Sequence, residues 1–432
     1  MADQLTSQLA HLYRRAGFGA RPEDLSAGAA RGYAATVEHL LDRSRNDPGA
    51  VPPPVLDPRT LQSADGNAEL RKELRRLRNQ QDQDLVGWWL ERMVLTDQQG
   101  IEKLTWFWHD HFATSAQKVD NPHLMLTQNQ LFRQQGNGQF DALTQAMAKD
   151  GAMMLWLDSN KNNRARPNEN FARELMELFT IGIGNYSDED VREAARAFAG
   201  WRYSRQEGFR VLKGQADTGQ KTVLGKTGAF TGEDVVSMLV SSAAGARFVT
   251  AKLWRHYAFP VGTDHPVVQE LAPGFASDLN IDKLIRNILL HPQFLSRDAR
   301  QGLVKQPVEW IVGMFRQLDL TPSQLVGNGL SGALNNLNQR PFFPPSVGGW
   351  PDNGYWISTS SALRRYQFAL QVTAKAKVDW LAGADNAGRL TALSARLGID
   401  EWTPSSAEAI TAAGEPRRQL AAALVTPEYV LN

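Results

Sequence analysis

Through most of this chain apolar side chains recur three and four residues apart, and one secondary structure satisfies that spacing in quantity, the amphipathic α-helix. The pattern is dense in Trp and Leu from Asp84 to Thr114 and continues through 121–135, 139–150, 168–182 and 187–200. It resumes at 233–259, 280–296, 305–319 and 358–382. Near the start, Leu5, Leu9 and Leu12 share a helical face, Gly17-Phe-Gly19 breaks the run, and Pro22 restarts it at a first-turn position. Residues 202–231 break the pattern. Phe209-Arg-Val-Leu and Thr222-Val-Leu lie there among six glycines, from Gly208 to Gly232, which reads as an irregular insert or small hairpin. The expected fold is therefore mainly α: a multi-helix, orthogonal or bundle-like assembly with a small irregular β insert near 205–231. A length of 432 residues suggests two or three folding units. The expected division is a helical part at 1–201, the Gly-rich insert at 202–232 and a second helical part at 233–432, all within one integrated unit.

Charge and residue usage exclude several functions. Lys and Arg number 47 against 46 Asp and Glu, so no surplus of cations is available for a large phosphate footprint, and nucleic-acid binding is not expected. Glu69 to Arg78 is laced with both signs and reads as a solvated helix face, with a basic docking face as the other possibility. Without cysteine there are no disulfides, thiolate zinc sites, Fe–S clusters or catalytic thiol. No run approaches 18 apolar residues, so no membrane span is expected. The opening Met-Ala-Asp-Gln-Leu-Thr has neither the basic nor the apolar region of a signal peptide, which makes the expected compartment cytoplasmic. Dinucleotide and phosphate-loop glycine motifs, the Gly-x-Ser-x-Gly elbow and His-Glu-x-x-His are all missing, so no nucleotide or flavin cofactor is expected. Lys252 and Lys305 read as snorkelling or pairing groups rather than catalytic amines.

Three segments could carry chemistry. In Trp106-Phe-Trp-His-Asp-His-Phe112 the His-x-His pair suggests a metal site. On a helix, however, His109 and His111 would lie roughly 160° apart and could not chelate one ion. His111 then falls on the apolar side with Leu104 and Phe107, and His109 aligns with Glu102. In Pro167-Asn-Glu-Asn-Phe-Ala-Arg-Glu-Leu-Met-Glu-Leu-Phe179, Asn168 is a plausible N-cap. Glu174 and Glu177 stand three apart, so their carboxylates can converge on a proton donor, a sugar or a cation. Arg173 can pair with Glu169 and Glu177. An ordinary amphipathic helix with ion pairs would show the same spacing. The third segment, Arg340 to Ile357, is rich in Pro, Gly and aromatic rings. It suits a lid on which Trp350 and Trp356 stack against a planar ligand, or a structural loop that packs its rings inward.

Five segments together resemble the bacterial domain-of-unknown-function family 1800. They are His11-Leu-Tyr-Arg-Arg-Ala-Gly-Phe-Gly19, Phe107-Trp-His-Asp-His-Phe112, Asn168 to Gly182, Asp190 to Trp201 and Pro344-Pro-Ser-Val-Gly-Gly-Trp350. The resemblance runs in order from about residue 8 to the C-terminus. It implies a mostly helical single unit and carries no activity with it. Similar chains often look exported, and commonly sit beside a sulfatase- or phosphatase-like protein, which the resemblance implies as a partner.

The resulting expectation is an enzyme with a polar cleft where the 102–112 and 168–178 helices meet, a hydrolase or lyase acting on a saccharide-like substrate. Glu174, Glu177 and His109 would be acid, base or ligands of a divalent metal, with Arg173 orienting the carboxylates. Trp350, Trp356, Asn170 and Trp201 would bind substrate. The alternative is a non-catalytic binding or assembly protein that docks a partner protein or a glycan through its aromatic loops.

Overall fold

A computed structural model of the chain describes residues 4–64, 66–325 and 329–431. Helices dominate from Gln4–Ala16 to Pro427–Val430, in agreement with the apolar spacing. Pro122–Gln135, Phe140–Ala148, Asp188–Ala197, Pro307–Gln317 and Thr359–Thr373 each fall within the expected ranges. Local chemistry sets many of their ends. Asn121 Oδ1 accepts from Leu124 N–H ahead of Pro122, and Ser187 with Asp190 closes a reciprocal cap on Asp188–Ala197. The expected run at 233–259 is two helices, Gly232–Val240 and Ala243–Tyr257, because Ser242 caps the second on Gly245 N–H.

The Gly-rich insert contains two antiparallel hairpins. Trp201–Ser204 pairs with Gly208–Val211, and Lys221–Val223 with Lys226–Gly228. The first strand thus starts at Trp201, just ahead of the expected insert. Among the described residues no helix is long and apolar enough to cross a membrane.

Two apolar clusters form the interior. One gathers Leu9, Leu12, Phe140, Phe179, Trp254 and Ile285, and the other gathers Trp89, Trp310, Phe315, Phe368 and Leu424. Helix Gln99–His111 lies between them, giving Leu104, Phe107 and Trp108 to the first cluster and Trp106 to the second. All of its residues except Asp110 are buried. Gly100 permits that depth: a Cβ there would stand 2.3 Å from the Leu40 carbonyl oxygen of helix Tyr33–Leu41. A helix buried all round is normally apolar. This one carries Glu102, Lys103, His109, Asp110 and His111, so each polar group must find a partner or face a cavity.

Candidate functional site

The polar residues of helix Gln99–His111 divide between two faces. Glu102 and His109, seven apart, form a closed face. Glu102 accepts from Trp89 Nε1 at 3.0 Å and from Arg133 at 2.9 Å, and also pairs with Arg92. Burial pushes the Glu102 carboxyl up, but Arg133 and Arg92 overcome it and hold the group at about 2. His109 is 1% exposed, and Phe342 N–H donates to its Nε2 at 2.9 Å. Burial pushes this imidazole down to about 3, so it stays neutral and able to accept. The rings of Trp89, Trp106, Phe342 and Trp350 enclose it.

The second face, with Phe107 and Asp110 at i and i+3, turns toward a cavity of about 280 Å³. Phe107, Asp110 and His111 form one wall, and Lys252, Arg255 and His256 of helix Ala243–Tyr257 form the next. Gly348, Trp350 and Asp352 of the Pro/Gly-rich loop form a third, and Glu309 lies at the start of helix Pro307–Gln317.

Asp110 is half-buried at this cavity. Its Oδ1 accepts from Trp350 N–H at 2.7 Å. Gly349 makes the contact possible: its φ is +81°, and a Cβ there would meet Oδ1 at 2.3 Å. Burial pushes the Asp110 carboxyl up to about 7, against the opposing pull of the Trp350 N–H and the Lys252 charge. Lys252 forms no ion pair among the described residues; its Nζ donates to the Leu178 carbonyl at 3.3 Å, and burial lowers its proton affinity. His111 Nε2 donates to the Phe179 carbonyl at 3.0 Å, while His111 Nδ1 and His256 Nε2 are buried without a protein partner. Burial holds both imidazoles well below their ordinary value, and therefore neutral.

The remaining charges are matched. Lys103 pairs with Glu309, and Arg255 with Asp352 at 2.9 Å. Arg15 donates to the carbonyls of Tyr257, His256 and Ala258, capping the end of helix Ala243–Tyr257.

The two helices expected to form a cleft do meet, through different atoms. The 168–182 segment is a short α-helix, Asn170–Glu174, that continues as the π-helical turn Leu175–Thr180. The end of this turn presents the Leu178 and Phe179 carbonyls to Lys252 and His111. Asn168 Oδ1 accepts from Asn170 N–H at 3.1 Å, but the N-cap is Glu169, one residue later than expected, and it makes no side-chain cap.

Several expected site residues lie elsewhere. Arg173 pairs with Glu169 at 3.1 Å and Asp188 at 3.0 Å, not with Glu177. Glu177 accepts from the Tyr186 hydroxyl at 2.7 Å. Burial first and the Glu177 charge second raise the Glu174 carboxyl. Asn170 Nδ2 is committed to the Leu157 carbonyl at 3.0 Å. None of Asn170, Arg173, Glu174 and Glu177 lines the Asp110 cavity. Among the described residues no three His, Asp or Glu side chains are grouped to hold a metal ion, so His109, Glu174 and Glu177 are not the ligand set the spacing allowed.

The tryptophans are not free platforms either. Trp350 is buried and stacked on Trp106 at 5.1 Å, with one edge at the cavity. Trp356 is buried, and Trp201 lies edge-on between Phe198 and Phe209. Aromatic rings in this loop pack inward because their apolar area is worth more in the core than in water. Lys252 lines the cavity with its Nζ on the Leu178 carbonyl, and Lys305 is buried with its amine 3.6 Å over the Tyr429 ring. Of the residues lining the cavity, sequence reasoning did not single out Asp110 or His256, and it set Lys252 aside as a snorkelling or pairing group.

A family model described as a protein of unknown function (DUF1800) matches residues 11–431, nearly the whole chain. The chain belongs to this family. No curated protein and no solved structure matches it. The DUF1800 span takes in every wall of the cavity, from Arg15 to Asn353.

Proposed function

We propose that this DUF1800 chain is an acid–base enzyme, a hydrolase or lyase that takes a small saccharide-like substrate into the cavity beside Asp110. One observation supports it above the others: Asp110 is held by a single backbone N–H, is outside ion-pair range of any described cation, and opens on a polar hollow. A buried carboxyl that were merely structural would be matched, as Glu102 is by Arg92 and Arg133. A carboxyl near neutrality is populated in both protonation states at pH 7, which suits it to give and take protons in one turnover. The Trp350 and Phe107 rings supply apolar walls. A volume of about 280 Å³ suits one ring-sized ligand rather than an extended chain.

Glu174 and Glu177 have no part in this proposal. The assembly-protein alternative draws on Tyr355 and Ile357, which are exposed at the end of the aromatic loop. A screen of glycosides and sugar esters tests the enzyme reading, with Asp110→Asn as control. The variant should lose about 10²- to 10⁴-fold in turnover, the usual range for a general acid or base. Equal turnover by both proteins would remove Asp110 from the mechanism.

A further inference from the structure

Arg365 is buried differently from the other guanidiniums of the interior. Arg15 and Arg316 are buried, and each donates to three backbone carbonyls. Arg365 is 3% exposed and donates once, from Nη2 to the Lys305 carbonyl at 2.9 Å. Apart from the Trp310 ring, 5.7 Å away, its charge has no partner among the described residues. Its Nε is sealed in the packing. Nη1 has no protein acceptor and is not sealed, which leaves it open on a cavity of about 150 Å³ that Arg365 lines. A buried cation without an anion is costly, and an anion drawn to it offsets that cost.

The cavity lies at the start of helix Thr359–Thr373 and shares no lining residue with the Asp110 cavity. Among the described residues that line it, Arg365 is the single charged one. Ser358, Ser361 and Arg365 fall at i, i+3 and i+7 on one helix face, and side chains lean toward the N-terminus, so the guanidinium reaches back toward the first turn. Ser358 Oγ caps the Ser361 N–H at 3.1 Å, but the Ser360 N–H has no protein acceptor. Asn336 and Asn338, at and just past the end of helix Gly329–Asn336, add two side-chain amides that are bonded to no described residue.

We propose that this cavity is a binding site for a phosphoryl group, with Arg365 Nη1, the Ser360 N–H and the amides of Asn336 and Asn338 as donors. The proposal is independent of the enzyme reading above. A guanidinium and a helix N-terminus are both suited to phosphate. The donors come from two separate segments of the chain, so they serve oxygens that diverge in space, as those of a tetrahedral anion do and those of a planar carboxylate do not. The volume is well below the roughly 300 Å³ at which pockets for drug-sized ligands begin, so one phosphoryl group enters, as the free anion or as the end of a phosphomonoester.

Titration calorimetry on the full chain with inorganic phosphate, glycerol 3-phosphate and acetate, at constant ionic strength, tests the proposal. Inorganic phosphate should bind, and acetate should bind about tenfold or more weakly than it. Tighter binding of inorganic phosphate than of the ester supports the free anion as ligand, and the reverse order supports a larger phosphorylated molecule. Arg365→Met removes the cation and Asn338→Asp places an anion beside it, so each should weaken phosphate by about tenfold or more. Asn338 is exposed and at φ +56°, a conformation Asp also adopts, so its variant carries the test where Arg365→Met fails to fold. The proposal is overturned by no binding of either phosphate compound, by acetate binding as tightly as phosphate, or by unchanged phosphate affinity in Asn338→Asp.

Discussion

Asp110 and His109 are neighbours in sequence and opposites in situation. His109 is sealed among four aromatic rings, with its lone pair occupied by Phe342 N–H. Asp110, 100° further round the helix, reaches a cavity with most of its hydrogen-bonding capacity uncommitted. Its cost to the fold can be measured. A folded-state value of about 7 lies above the unfolded value near 3.9, so the stability linked to its proton is complete below about pH 4 and lost as pH rises through 7. Above pH 7 the fold therefore carries an unfavourable buried charge. Asp110→Asn removes that charge, and the substituted amide oxygen can still accept from Trp350 N–H. Denaturant unfolding at pH 8 should show the variant more stable by about 1–3 kcal/mol, with the gain disappearing toward pH 4. A variant less stable at pH 8 would mean that the carboxylate is held by a favourable partner.

Helix Gln99–His111 shows how much of an element its sequence reveals. Its existence was legible from Trp and Leu spacing, and the opposed directions of His109 and His111 followed from 100° per residue. Which of its polar groups would face a hollow was not legible, because the second and third walls come from residues some 140 and 240 positions away in the chain, Lys252 and Trp350. The π-helical turn at Leu175–Thr180 was equally hidden, since its apolar residues satisfy α-helical spacing as well. The helix makes two demands that can be tested. Glu102→Ala leaves Arg133 in a buried space without its anion and Arg92 with only Asp47 at 3.7 Å, and should cost about 3–5 kcal/mol in equilibrium unfolding. A loss below about 1 kcal/mol would show that the guanidiniums find water or another acceptor. Gly349→Ala puts a methyl group on Asp110 Oδ1 at positive φ and should cost about 2–3 kcal/mol. A neutral result would mean that the loop does not grip Asp110 as described.

At the scale of the whole molecule, the balance of buried titratable groups sets the response to acid. His11, His109, His111 and His256 are held neutral mainly by burial. Each takes up a proton in the unfolded chain below about pH 6.5 and so withdraws stability as pH falls, by about 1.4 kcal/mol per unit. Three carboxyls act in the opposite sense. Burial raises Asp82 and Asp110 to about 7 and Asp150 to about 6, so folding binds their protons first and gains stability down to about pH 4. Below that value the carboxyl gain is complete, while the histidines continue to withdraw stability. Glu102 joins them there, because its folded value of about 2 lies below its unfolded value near 4.3. With four histidines against three carboxyls, the net loss between about pH 6 and 4 is about 1.4 kcal/mol per unit, so urea midpoints should fall gently there and steeply below 4. A steep fall beginning at pH 6 would show that the carboxyl protons do not offset the histidines. The fold class was legible at this scale because apolar spacing repeats along the chain. Helix Pro266–Asp278, with Pro273 inside it, and helices Asn386–Leu397 and Pro404–Ala412 were not, since proline and small residues blur the period.

The central claim is that Asp110 is a carboxyl poised near neutrality in an open polar cavity. Carbon-13 NMR of the aspartate side chains, with the Asp110 resonance assigned by its loss in Asp110→Asn, measures this directly. The account predicts a titration midpoint close to pH 7 in the free protein. A midpoint near 4, that of an ordinary solvated aspartate, would contradict it.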